Sequence, residues 1–536
     1  MTGEFVISTA TRKTQVNQTP ASNLALLAAA EARQNGKLEK AEKQIKLALK
    51  RYPDDPDTYH QAALIARDRG RIKRALQLIE KAAELSPHSA PILCDMGLLY
   101  KNQGNNGKSI ACQRRVCSLL PDSAPAWSNL GTALNAARQY EEAVRALSRA
   151  IDLNPLEPEF HFNQANAHLA QGELNTAITS YEHTIELSPN HLKAQINLAS
   201  AQKEIGRLSD AGKTLAAAAM LAPANPEILW NEALLLLSLG DYQSGWAAYE
   251  ARRSLPGFAI RHQDKPSWNG TSREGGKLLI HAEQGLGDTI QFCRYLSQFV
   301  ESDIDYVIEV PEKLLPLLSS LPTSENHVAV AEKPRCDFQA PLLSLPDLIG
   351  PAEPFFPSTG AYLSAEEYSV IEWQERLPSD GKQRVAICWQ GNPDYRADTS
   401  RSVPLEAFAP IAELPYVRLI SLQQGDATKG LGNQPWGFDV VSLGNDIDLE
   451  GAFLDSAAIL KSVDLLITSD TAMAHLGGAL GVETWLALAF VPDWRWGLSG
   501  TETPWYPSMT LYRQPQHGDW ASVFNKMAYD LKERRS

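Results

Sequence analysis

Six prolines, Pro53, Pro87, Pro121, Pro155, Pro189 and Pro223, recur every 34 residues without a slip. A small residue stands twelve positions before each of them: Ala41, Ala75, Ser109, Ala143, Ala177 and Ala211. Glycine keeps a third beat at Gly36, Gly70, Gly104, Gly172 and Gly206, and only Arg138 breaks it. A period of this length, with proline closing a helix, glycine turning a hairpin and a small residue where two helices meet, defines an all-α solenoid of helical hairpins. The first half of the chain can fold into little else.

Composition narrows the remainder. A chain of 536 residues exceeds one hydrophobic core, so more than one domain is expected. The formal net charge of -13 argues against a nucleic-acid partner, which would call for a basic face. Cys94, Cys112, Cys117, Cys293, Cys336 and Cys388 are scattered without metal-ligand spacing, which points to reduced thiols and no metal site. No apolar leader opens the sequence, and its longest apolar run, at 233–239, is too short for a membrane span. The expectation is a cytoplasmic protein without a transmembrane segment.

The 34-residue unit is that of the tetratricopeptide repeat, and it divides the chain as follows. Residues 1–20 read as a disordered polar tail, and 21–253 as six repeats plus a partial seventh. Gly240 and Tyr249 of that seventh unit hold the slots of Gly206 and Leu215, which makes it an adaptor onto the next domain. Residues 254–276 lose the period and read as a linker. Short apolar runs then alternate with helical stretches at 277–283, 305–310, 327–332, 384–389, 416–422, 438–443 and 463–469, the pattern of parallel α/β sheets. They fall into two Rossmann-like halves, 277–372 and 383–515, followed by a C-terminal helix within 516–536.

Three loops follow strands in this region, where open α/β sheets bind ligands. In "HAEQGLGDTIQF", Gly285 and Gly287 permit a tight turn and Asp288 arrives at the start of a helix, where aspartate is also an ordinary cap. In "SDTAMAHLGGALG", Ser469, Asp470 and Thr471 can cap a helix that carries His475 one turn on, and Gly477 and Gly478 call for close packing or close ligand approach. In "WQGNPDYRADTSRSVPLEAF", Arg396 and Arg401 suit bidentate recognition of a diphosphate, although charged loops are more often simply solvated.

Together these loops resemble the two-Rossmann (GT-B) glycosyltransferases, and most closely the bacterial heptosyltransferase family. The resemblance implies that Asp288 of the "GD" turn is the catalytic base. It also implies that Asp470, Thr471 and His475 of the D-T-x-x-x-H segment, with Arg401, touch a nucleotide-sugar donor. The chain departs from the family in its short first half, 277–372, where no acceptor-binding stretch is recognisable. Repeats joined to such a region are also similar to the O-linked GlcNAc transferases, which read protein acceptors through a solenoid. Asn129, Asn163, Asn197 and Asn231 are again 34 apart, with Asp95 in the same slot one repeat earlier. A ladder of this kind can bond a peptide backbone whatever its side chains, and asparagine is equally common at this slot in repeats that are only scaffolds. Of the tryptophans near the C-terminus, Trp505 and Trp520 read as packing, and Trp494 or Trp496 as a stacking surface at the cleft.

The expectation is a metal-independent, inverting glycosyltransferase. It needs no cofactor beyond its nucleotide-sugar donor, and its repeats recruit a protein or peptide. None of the three loops holds an Asp-x-Asp pair of the kind that binds a metal-bound nucleotide. The alternative is a repeat scaffold whose C-terminal region keeps the fold without the chemistry.

Overall fold

The computed structural model describes residues 20–258, 261–271, 276–283, 285–300, 302–332, 334–349, 360–392, 398–429, 431, 437–444 and 447–535. The expected tail lies outside the described residues save for Pro20, which opens the first helix. Seven hairpins follow: α1 (Pro20–Gln34) with α2 (Leu38–Arg51), α3 (Pro56–Asp68) with α4 (Ile72–Leu85), α5 (Ala90–Asn102) with α6 (Asn106–Leu119), α7 (Ala124–Ala136) with α8 (Tyr140–Leu153), α9 (Pro158–Ala170) with α10 (Leu174–Leu187), α11 (Leu192–Glu204) with α12 (Leu208–Leu221), and α13 (Pro226–Ser238) with α14 (Tyr242–Tyr249). Each periodic proline stands two residues beyond the second helix of its hairpin, where its missing N–H and fixed φ prevent another turn. The six small residues are 0–1% exposed, so no larger side chain fits there without forcing the helices apart. The hairpin glycines all have positive φ, from 70° to 82°. Arg138 takes φ 61° at its place in the series, holding the same left-handed turn against the steric clash of its Cβ.

The chain divides into two compact units, and the boundary falls within the repeats. One unit comprises the residues up to Glu204 with Ala216–Leu221, and the other Ile205–Leu215 with Ala222–Ser536. The seventh hairpin therefore belongs to the C-terminal unit. Its Leu237, Trp246 and Tyr249 share one apolar cluster with Phe292, Leu296, Trp494 and Trp505. Trp246 stands edge-on to both Phe292 and Trp494, with centroids 5.8 and 5.2 Å away.

Two parallel sheets make up the rest of this unit. The first runs β1 (Leu278–His281), α15 (Leu286–Phe292), β2 (Tyr306–Val310), α16 (Leu315–Leu318), β3 (His327–Ala329), β4 (Phe338–Pro341) and α17 (Leu345–Leu348), with strand order β3-β2-β1-β4. After α18 (Glu367–Arg376) the second runs β5 (Gln383–Cys388), α19 (Asp398–Arg401), α20 (Ala409–Ala412), β6 (Val417–Ser421), β7 (Val441–Ser442), α21 (Leu454–Leu460), β8 (Leu465–Ser469), α22 (Ala472–Ala479), β9 (Thr484–Leu488) and β10 (Met509–Arg513), with order β10-β9-β8-β5-β6-β7. The chain ends on α23 (Trp520–Glu533). Every residue of β1, β2, β8 and β9 is buried, as expected of parallel strands covered on both faces. Three strands, β4, β9 and β10, go beyond the seven apolar runs, and the run at 438–443 supplies only two strand residues. The stretch expected to be a linker is mostly exposed where it is described, but a few of its residues anchor it. Arg261 and His262 both reach the buried Glu309, and Trp268 is buried with its backbone N–H on the Gln339 carbonyl, 2.8 Å away.

Arg138→Gly should stabilise the chain by about 1 kcal/mol, because it removes left-handed strain from an exposed turn. Chemical denaturation monitored by helical circular dichroism measures this, and a loss of stability would mean that Arg138 is not strained.

Candidate functional site

The loops expected to carry chemistry converge at the carboxyl ends of β1, β5, β8 and β9. Gly285 begins α15 with φ 75°, and no side chain caps that helix. Asp288 is thus no helix cap. Its Oδ1 accepts from Arg495 Nη2 at 2.7 Å, while its Oδ2 lies 3.1 Å from where a Cβ at Gly285 would stand. Gly287 lets the first turns of α15 and α22 touch: a Cβ there would come 3.1 Å from Ala472 Cα and 3.4 Å from His475 Cδ2. The aspartate after β1 and the histidine after β8 are therefore brought into one place.

Arg495 holds that place together. Its Nε donates to Gln291 Oε1 at 2.6 Å, its Nη1 to Asp493 Oδ1 at 2.9 Å and its Nη2 to Asp288, and its plane lies over the Trp494 ring, 4.5 Å from the centroid. A guanidinium forks between two carboxylates in this way because its donors are rigidly coplanar. Neither Arg495 nor Asp493 was among the expected site residues. The signal that marks them is an Asp and an Arg two residues apart in a loop directly after a strand, and it becomes visible only once β9 is recognised.

After β8, Thr471 caps α22 by accepting from Met473 N–H at 3.3 Å, and Ser469 is fully buried at the strand end. Burial first, and the charge of Asp493 second, raise the Asp470 carboxyl to about 6, against the pull of Arg401. Asp288 is also raised, by burial acting against Arg495. His475 is buried, with Nδ1 3.0 Å from the Tyr506 hydroxyl and its ring stacked on Trp496. Burial and the surrounding arginines 495, 294 and 401 hold it well below the usual histidine range, hence neutral. The paired glycines serve packing. A Cβ on Gly477 would strike Thr484 and Leu466, and one on Gly478 would enter the Tyr506 ring.

Arg401 pairs with Asp398 at 3.2 Å beside Gly391, where a Cβ would collide with both side chains. Arg401 lies beyond the carboxyl end of β5, the strand next to β8 in the sheet. Arg396 lies outside the described residues. Trp494 and Trp496 are both buried and form no open stacking surface. Among the described residues, no three His, Cys, Asp or Glu side chains stand together as a metal set.

Asp95, Asn129 and Asn163 of the asparagine ladder do not line an open groove, and Asn197 and Asn231 are half-buried. Asn129 Nδ2 donates to Cys94 Sγ at 3.3 Å, Asn163 to Ser128 Oγ at 3.3 Å and Asn197 to Asn166 Oδ1 at 3.0 Å, each reaching into the preceding repeat. Asp95 accepts from His60 Nε2 at 2.6 Å, and Asn231 donates to the Glu227 carbonyl one turn back. Asp95, Asn129 and Asn163 are buried. The same period that would align a peptide site instead staples neighbouring hairpins.

This architecture defines a repeat protein with a parallel-sheet region, and its N-terminal half is a tetratricopeptide-repeat array. Family models described as tetratricopeptide repeats match residues 26–90, 90–123, 128–191 and 168–235. The chain is similar to the protein FlbA of Caulobacter vibrioides, 30% identical over 355 residues, which is 59% of this chain. The match spans 57% of that relative's length. Solved structures similar to it include a tetratricopeptide repeat protein from Parabacteroides merdae (14% identity, 46% of this chain and 96% of that one, TM-score 0.39). Another is YrrB, described as a repeat protein with an unusual peptide-binding site (22%, 35% and 98%, 0.30).

Asp470 supplies a test of the site's electrostatics. A carboxyl raised to about 6 against an unfolded value of about 3.9 binds more protons folded than unfolded, so stability falls as pH rises between those values and levels off above them. Asp470→Asn should therefore stabilise by about 2 kcal/mol above about pH 7 and have little effect near pH 4. Melting temperatures across that range measure it; equal destabilisation at both ends would mean that Asp470 is not held against its charge.

Proposed function

We propose that residues 277–515 form a GT-B-type glycosyltransferase that moves a sugar from a nucleotide-sugar donor to an acceptor hydroxyl, with the repeats recruiting a protein or peptide acceptor. The two parallel sheets act as Rossmann-like halves. The observation that carries this reading is the meeting of Asp288, Arg495 and His475 at the carboxyl ends of strands from both sheets, with Asp470 at the end of β8 and Arg401 beyond β5. Tetratricopeptide repeats are protein-interaction scaffolds, which supports the recruiting role.

The reaction assigns each group a task. Asp288 takes the acceptor's hydroxyl proton on Oδ2 while Arg495 holds Oδ1, and burial raises its affinity for that proton toward what a base working near neutrality needs. The acceptor oxygen bonds to the anomeric carbon as the bond from that carbon to the diphosphate breaks. The departing diphosphate is neutralised by Arg401 and by the positive end of the α22 helix. His475, neutral and one turn into α22, can bond a sugar hydroxyl.

A thermal-shift screen against ADP, UDP, GDP, CMP and their sugar conjugates tests this. One nucleotide should stabilise the chain by roughly 2.7 kcal/mol at 100 times its dissociation constant, and Arg401→Ala should abolish the shift. Asp288→Asn should keep the shift and lower transfer by roughly 100-fold or more. No shift with any of them would favour the non-catalytic scaffold, and full transfer by Asp288→Asn would remove Asp288 as the base.

A further inference from the structure

The last helical hairpin reaches the turn that carries Asp288 through one buried side chain. Arg252, in the 3-10 turn Glu250–Ser254 after α14, is 3% exposed and has every N–H engaged. Nε and Nη2 grip Glu283 Oε1 and Oε2 at 3.1 and 3.0 Å. Nη1 donates to Glu250 Oε1 at 2.6 Å and to the Tyr249 carbonyl at 3.2 Å, and Nη2 also donates to Ser344 Oγ at 2.7 Å. Ser344 in turn donates to Glu250 at 2.6 Å. Glu283 lies between β1 and α15, on the strand side of the turn that ends at Asp288. Ser344 lies just beyond β4, beside β1 in the sheet. One guanidinium thus gathers the seventh repeat and the carboxyl ends of two neighbouring strands.

A second route leads from the same place to the other end of the turn. The Arg252 guanidinium lies over the Tyr249 ring, 4.9 Å from its centroid. Tyr249 and Trp246 pack edge-on against Trp494, at 6.2 and 5.2 Å between centroids. Trp494 supports the Arg495 guanidinium, which holds Asp288. Glu283 and Asp288 are therefore both held by groups that the seventh hairpin sets in place.

We propose that the seventh repeat is a working part of the catalytic centre and that Arg252 is a positioning residue, fixing through Glu283 the direction in which Asp288 presents its free oxygen. This deepens the transferase reading and rests on Asp288 as its base. The bidentate fork is the essential element: a lysine would keep the charge but hold one oxygen at a time and leave the turn free to rotate. A misplacement of a catalytic group by about 1 Å costs roughly 100-fold in rate, so a loosened turn need not unfold anything to stop turnover.

The test compares Arg252→Lys, Arg252→Gln and Glu283→Gln in the full chain, using amide hydrogen exchange and transfer kinetics. In all three variants the amides of 282–289 and 493–497 should exchange faster, while those of β2, β3 and the first five hairpins keep their protection. Arg252→Lys should lower kcat roughly 10- to 100-fold with the donor KM within about twofold of the wild type. Unchanged exchange at 282–289, loss of protection spread evenly over the four-stranded sheet, or a wild-type kcat in Arg252→Lys would each overturn the proposal. A wild-type chain that neither binds nucleotide nor transfers sugar would count against the transferase reading alone, and the exchange of 282–289 would then decide the role of Arg252.

Discussion

The burial of one guanidinium, Arg495, is the constraint on which the candidate site depends. An arginine removed from water must have its charge matched and its donors filled, and here Asp288, Asp493 and Gln291 do so from two different sheets. Once that requirement is met, the α15 turn has little freedom. Asp288 is oriented, Gly287 is pressed against Ala472, and His475 is enclosed between Tyr506 and Trp496. A second buried arginine, Arg294, also bridges the two sheets, through neutral acceptors and rings: it donates to the Trp505 carbonyl and the Tyr362 hydroxyl and lies over the rings of Tyr362, Trp505 and Tyr506. Arginine and aromatic groups thus join the two sheets within one shared apolar cluster.

The seventh hairpin follows the same logic. A solenoid end exposes an apolar face that something must cover, and here Trp246 and Tyr249 lie against Phe292 and Trp494. The hairpin keeps the repeat's geometry while its side chains serve the C-terminal unit. The structural boundary accordingly falls inside the repeats, ahead of residue 254 where the 34-residue period ends.

Much of this could be read from residues alone, and the exceptions have physical causes. Proline, glycine and the small residues are each required by backbone geometry, so their period specified the hairpins, while the left-handed turn that Arg138 keeps is visible only in the structure. Strands centred on apolar runs, such as β1, β2, β5 and β8, were legible because their apolar residues are buried on both faces. β4 was not, because "FQAP" is four residues long, carries a glutamine and ends in proline. β9 was hidden by the apolar helix α22, which lies only a short turn before it. Missing β9 also concealed Arg495, since an arginine between two tryptophans reads as packing until the strand end beside it is known. The asparagines were found by their period but given the wrong direction. A fixed register specifies that the side chains align, not whether they face solvent or the preceding helix, and here they fill hydrogen bonds between repeats.

The most direct measurement of the central claim is a crystal structure of the full chain soaked with ADP-, UDP-, GDP- and CMP-activated sugars. The account predicts density for one of them, with its phosphates between Arg401 and the opening turn of α22 and its anomeric carbon facing Asp288. Density elsewhere, or an empty site with every donor at saturating concentration, would contradict it.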